Sequence, residues 1–157
     1  MGMQVQLEPH DDGSVRILIS GALDEVSDFE GLFSRIGSAA PVVLDLAGVE
    51  RLNSIGVHRW IDALGPFSAE RPTSVEACSY VVALQANCVA NLFGQAVVRS
   101  TLAPYYCEGC RDTRMVLVTA EEAASRTGPV KHCPTCHAAL AFDELDSYFD
   151  FLTEMRR

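Results

Sequence analysis

The stretch Val42–Trp60, VVLDLAGVERLNSIGVHRW, decides the fold. It begins as Val42–Leu46, a short apolar run with β-branched residues. Such a run reads as a strand covered on both faces. It ends in a helical pattern. Asn53 or Ser54 can cap a helix that continues to about Leu64, with Trp60, Ile61 and Leu64 facing inward. Gly65-Pro66 closes that helix. A strand that passes through a polar turn into an amphipathic helix is half of a crossover unit.

The same alternation extends on both sides. Met3–Leu7 alternates like a strand, and Asp12-Gly13 within His10–Ser14 is a hairpin turn signal. Val15–Ser20 is the returning strand, broken by Gly21. Asp24–Gly37 reads as a helix with Val26, Phe29, Leu32, Phe33 and Ile36 in one stripe, and Gly37 suits its C-terminal end. Downstream, Pro72–Ala77 is a weaker strand. Tyr80–Asn91 is a third helix with Val81, Leu84, Cys88 and Leu92 along one side, and Ala96–Ser100 is a last strand. The expected class is α/β: a mixed sheet with helices packed on it.

After Pro104 the character changes. CEGC (107–110) and CPTC (133–136) are two Cys-x2-Cys knuckles separated by 22 residues. A two-residue gap lets both sulfurs of a knuckle reach one ion, and two knuckles complete a tetrahedron. Cys107, Cys110, Cys133 and Cys136 are therefore the expected ligands of one zinc. Four thiolates leave no position for water or substrate, so the ion is expected to be structural. Lys131, Arg111 and Arg114 are placed to offset the thiolate charge. His132 and His137 flank the second knuckle, where four thiolates already suffice. Cys78 and Cys88 read as small core residues. Met115–Thr119 is β-prone, and Glu121–Val130 is a polar loop with Thr119 and Glu122 at capping-box spacing. Asp143–Met155 reads as an amphipathic helix bearing Leu145, Tyr148, Phe149 and Leu152, packed back on the protein. The expected division is residues 1–103 as an α/β domain and 104–157 as a small zinc-ribbon-like module with a terminal helix.

The chain has 157 residues and 48% apolar residues, enough for a real core. Its formal charge is 12 − 21 = −9. Binding phosphates requires an excess of Lys and Arg, so nucleic acid is an unfavourable partner. No apolar run approaches the roughly 20 residues that span a membrane. MGMQVQLEPHDDG lacks the basic-then-apolar order of a secretory signal, so a cytoplasmic, reducing setting is expected. There, paired knuckles more often bind metal than form disulfides.

Three places in residues 1–100 resemble the STAS domain of sulfate-transporter tails and anti-sigma factor antagonists. ILISGALDEVS is similar to that family's strand–Gly–Leu–Asp lead into the first helix. VVLDLAGVERLNSIGVHRW resembles its strand, its "DLSGV" turn and its "DSSG" loop. Leu92-Phe93-Gly94 resembles its "L…GL" close. The resemblance covers about two-thirds of the chain; the zinc ribbon is extra to it. It implies a signalling protein without enzymatic activity, bound to a protein partner such as a kinase or anti-sigma factor. In that family the first Ser of the loop is a phosphorylation site, and Ser54 occupies its place. Asn53 stands where an aspartate is usual, and Ile55 where a second Ser is usual; Gly56 is retained. The implied partner-binding loop is Asn53, Ser54, Ile55, Gly56 and Val57.

Ser54 also has a plain structural reading as a helix cap, in which case Ser54→Ala costs about 1 kcal/mol. A phosphate at the same place would meet free N–H groups and the positive end of the helix dipole. His58 lies one helical turn beyond Ser54, but no third orienting group, nucleophile elbow or phosphate-cradling loop accompanies them, so no enzyme is expected. Two alternatives to the signalling reading are a zinc-ribbon factor associated with nucleic acid and a thiol-based redox sensor.

Overall fold

The parallel pair at the centre of the protein joins Val15–Leu23 (β2) to Val42–Leu52 (β3). A computed structural model describes residues 2–36, 40–125 and 127–154. Gln4–Pro9 (β1) lies antiparallel to β2, and the Asp12-Gly13 turn joins them. Thr73–Glu76 (β4) and Val97–Val98 (β5) add in parallel, giving a five-stranded mixed sheet in the order β1-β2-β3-β4-β5. The helices are Phe29–Ser34 (α1), Ser54–Glu70 (α2) and Tyr80–Cys88 (α3). The α/β class expected from the alternation is present.

Alternation along the strands sorts their side chains onto two faces. Ile17, Ile19, Leu44, Leu46 and Val75 are at most 1% exposed. They form one cluster with Phe29, Phe33, Trp60, Leu64 and Phe67 of α1 and α2. Trp60 meets Phe29 edge-on at 5.5 Å between ring centroids and donates its indole N–H to Leu92 O at 2.9 Å. On the opposite face Arg16 bridges Asp45 at 2.7 Å and Glu76 at 2.8 Å, tying three adjacent strands.

Several boundaries depart from the sequence expectation, each for a physical reason. Gly21 does not end β2. Its φ of +85° accommodates a register shift, and the strand continues to Leu23. The first helix starts at Phe29 because Asp24 and Ser27 take the preceding backbone into a side-chain-stabilised turn. Val26 is consequently 76% exposed and leaves the expected stripe. Gly37 lies outside the described residues. Gly65-Pro66 does not close α2, which runs through Pro66 to Glu70. Phe67 continues the apolar face there and stacks on Phe33 at 4.3 Å. In α3 the buried residues are Val82 and Ala83, whereas Leu84 is 41% exposed and Cys88 is exposed. Cys78 is fully buried as expected, and burial pushes its thiol pKa up.

A second sheet follows. Ser100–Cys107 (β6) pairs antiparallel with Asp112–Thr119 (β7) over eight residues and with Ala141–Phe142 (β8) over two. Its inner side chains, Ala103, Tyr105 and Val118, belong to the same buried cluster as Trp60. Thr119 and Glu122 form the expected capping box, each side chain accepting from the other's backbone N–H at 3.1 and 3.2 Å, and a 3-10 turn Glu122–Ser125 follows. The last segment is a 3-10 turn, Asp146–Phe149, leading into Asp150–Glu154 (α4). Tyr148, Phe149, Phe151 and Leu152 are buried, so the segment does pack back. Leu145 precedes it at 74% exposure and is not part of its apolar face. Met155 lies outside the described residues.

Candidate metal centre and the Ser54 loop

The hairpin between β6 and β7 carries the first knuckle. Cys107 ends β6 opposite Asp112, and Cys110 sits in the connecting turn. The second knuckle sits in another tight turn, closed by the His132–Ala139 bridge, with Cys133 N–H donating to Ala138 O and Leu140 N–H to Lys131 O. The two turns face each other, and the four sulfurs all lie within 4.8 Å of one another. Cys107 Sγ and Cys136 Sγ are 3.4 Å apart, and Cys110 Sγ and Cys133 Sγ are 3.8 Å apart. Thiolates about 2.3 Å from a tetrahedral ion would stand about 3.8 Å from each other, so the set fits one metal ion.

The donor chemistry supports the same fit. Cys110 N–H points at Cys107 Sγ, and the N–H groups of Thr135 and Cys136 point at Cys133 Sγ, at 3.4–3.5 Å. Backbone donors favour the thiolate form. The Cys136 and Thr135 amides, Cys136 first, draw the Cys133 pKa down to about 6 despite burial. Burial and then the neighbouring sulfurs push Cys110 up to about 12. Four thiols this close cannot all ionise without a compensating cation, and a divalent ion supplies one. Cys107 and Cys133 are buried, Cys110 is half-buried and Cys136 is exposed.

Two features of this centre carry no sequence signal. Arg111 (φ 55°) and His137 (φ 62°) each follow the second Cys of a knuckle in the left-handed region, although neither is Gly or Asn. The His137 N–H closes the second turn by donating to Cys133 O at 2.9 Å. Gly109 lies so close that a Cβ there would come within 2.8 Å of Cys136 Sγ.

The flanking residues divide. Lys131 pairs with Glu122, its ammonium 2.5 Å from the carboxylate. Arg114 pairs with Asp112 at 3.1 Å and reaches Thr135 Oγ1 at 3.3 Å. Its pKa is raised first by Asp112 and further by charge on Cys133 and Cys110. His132 and His137 are exposed and stand outside the four-sulfur group.

The helix α2 begins at Ser54, and its cap is Asn53. The Asn53 Oδ1 accepts from Gly56 N–H at 2.8 Å, and Asn53 Nδ2 donates to Glu25 Oε2 at 2.6 Å. The backbone N–H of Asn53 donates to Leu23 O. Gly56 packs directly on the end of β2, where a Cβ would come within 2.2 Å of Leu23 O. Gly56 and Val57 are buried, so the loop's outward surface is Asn53, Ser54 and Ile55, with Ile55 55% exposed. Ser54 is exposed, and its hydroxyl makes no hydrogen bond among the described residues; the capping task falls on Asn53 alone. Beside it runs a groove of about 220 Å³ lined by Ala22–Asp24 and Arg51–Asn53. His58 is exposed and has no hydrogen bond to Ser54.

No helix among the described residues is long and apolar enough to cross a membrane. No family model matches the chain, and no curated protein matches it.

Proposed function

We propose that this chain is a non-enzymatic regulatory protein of bacterial type. It binds a protein partner through a STAS-like surface around Ser54, with a single structural zinc in a C-terminal ribbon. The observation that carries the reading is the state of the Asn53–Val57 loop. Asn53 and Gly56 fix its backbone, yet Ser54 and Ile55 are left facing solvent. A rigid loop presenting one hydroxyl and one exposed aliphatic side chain suits recognition by another protein.

Phosphorylation of Ser54 would control that contact. The hydroxyl is free of any capping duty, so its modification would leave α2 intact. A phosphate would add about two negative charges at the positive end of a 17-residue helix. The loop already holds one charge of each sign, Glu25 against Asn53 and the Arg59 guanidinium on Glu25 O, so a phosphate would turn its surface negative towards the partner. A kinase or anti-sigma factor is the partner class that the STAS resemblance suggests.

The zinc would contribute architecture. With four thiolates as ligands it has no open position, and the ribbon it closes would stiffen the second sheet. The setting would be cytoplasmic, where thiols remain reduced.

The test is to isolate tagged full-length protein from the cells that make it and identify bound proteins, comparing wild type with Ser54→Asp, while intact mass reports phosphate. A regulator that binds wild type and is lost with Ser54→Asp supports the reading. Partners indifferent to Ser54, or recovered nucleic-acid machinery, would overturn it.

A further inference from the structure

The three-stranded sheet ends on one side at β7, with no strand beyond it among the described residues. The β6–β7 ladder runs without a shift from Ser100↔Thr119 to Cys107↔Asp112. Its phase is set by Ala120 N–H, which donates to Arg99 O at 2.8 Å. In an antiparallel ladder every second residue then turns its backbone groups to the neighbour. Val118, Val116 and Arg114 face β6, whereas Leu117, Met115 and Thr113 face outward. Pro104 agrees with this phase: lacking an N–H, it lies opposite Met115, where no bond from it to β7 is required. Thr119 N–H also points outward, but Glu122 Oε1 takes it at 3.1 Å. Among the described residues, the outward backbone groups still open belong to Thr113, Met115 and Leu117, symmetric about Met115.

The edge is lightly protected. It has no Lys, Pro or bulge, and Met115 and Leu117 are 44% and 47% exposed, with Tyr106 beside them at 37%. The other sheet is guarded differently: β1 carries Gln4, Gln6, Glu8 and Pro9, and β5 has two residues. A net charge of −9 keeps copies of the chain apart in general. At β7 that repulsion is locally cancelled, since Asp112 and Arg114 neutralise each other at 3.1 Å.

We infer that β7 is a self-association edge. Two copies pair antiparallel about a two-fold axis at Met115, joining their three-stranded sheets into one. Met115 faces its own counterpart, and Thr113 faces Leu117 of the second copy. The register is selective. An axis at Arg114 would set two guanidinium groups opposite each other, and an axis at Val116 would need the N–H that Glu122 already holds. This surface is separate from the Asn53–Ile55 loop, so it stands or falls independently of the regulatory reading.

Sedimentation of the full chain across a wide concentration range tests it. Wild type is expected to dimerise reversibly. Leu117→Lys, at an exposed position, should weaken the dimer about tenfold or more. That variant lowers the net negative charge, so its loss of association would be local in origin. Met115→Pro removes only an outward N–H and should have the same effect; circular dichroism checks its fold, and if it unfolds, Leu117→Lys alone decides. Val97→Lys on the other sheet and Ser54→Asp should leave the dimer unchanged. Wild type that stays monomeric throughout, a dimer untouched by Leu117→Lys, or equal loss in Val97→Lys would overturn the inference.

Discussion

In the five-stranded sheet, α1 and α2 close over one face, and Ile17, Leu44 and Trp60 are at most 2% exposed. In the three-stranded sheet, β7 alternates between exposed and partly buried positions, and the turn at its end gathers four sulfurs. The first region has enough apolar surface to fix itself. The second shares the core on one side only, through Tyr105, Val118 and Phe149, and leaves its far tip without apolar cover. A tip of that kind needs a crosslink or a metal to hold its shape. On the proposed reading, that difference is why a metal would be needed in the second region and not in the first.

The largest expected effect that separates the two regions comes from Trp60→Ala. Trp60 packs on Phe29 and Phe33 and holds Leu92 O, so its loss should cost about 3–5 kcal/mol in urea unfolding. The sulfur centre should still bind metal whenever the chain is folded. Gly56→Ala comes next. Its Cβ would press on the Leu23 carbonyl, and shifting α2 should cost about 1–3 kcal/mol. A neutral result would mean that α2 moves freely against β2. Asn53→Ala should cost about 1 kcal/mol through the lost cap, whereas Ser54→Ala should stay within about 0.5 kcal/mol. Equal costs at 53 and 54 would return a capping role to Ser54.

Legibility in the sequence followed the same divide. The hairpin at Asp12-Gly13, the strand at Val42 and the helix after Asn53 are local events with local signals. The clustering of the four cysteines was readable because knuckle spacing is a property of adjacent residues. The failures came where distant packing overrode local chemistry. Pro66 sits inside α2 because Phe67 has Phe33 to stack on. Cys88 is exposed because α3 turns Val82 and Ala83 inward toward the cluster that includes Phe93 and Phe149. The Lys131–Glu122 pair went unread because it depends on where the capping box holds that carboxylate. The strain at Arg111 and His137 had no signal, since neither residue type announces a left-handed backbone.

The structure also narrows what metal removal should do. From sequence alone, chelation is expected to unfold the C-terminal third. Because Tyr105, Val118, Phe149 and Leu152 lie in the common core, the opening should be confined to the two knuckles and the turns beside them. The deciding measurement is metal analysis of the purified full chain, followed by hydrogen exchange before and after chelation. One zinc per chain is expected. On its removal, protection should fall at residues 107–114 and 131–140 while β2 and β3 stay protected. A chain that carries no zinc, or one whose knuckles are equally protected with and without it, would contradict the structural role assigned to the four sulfurs.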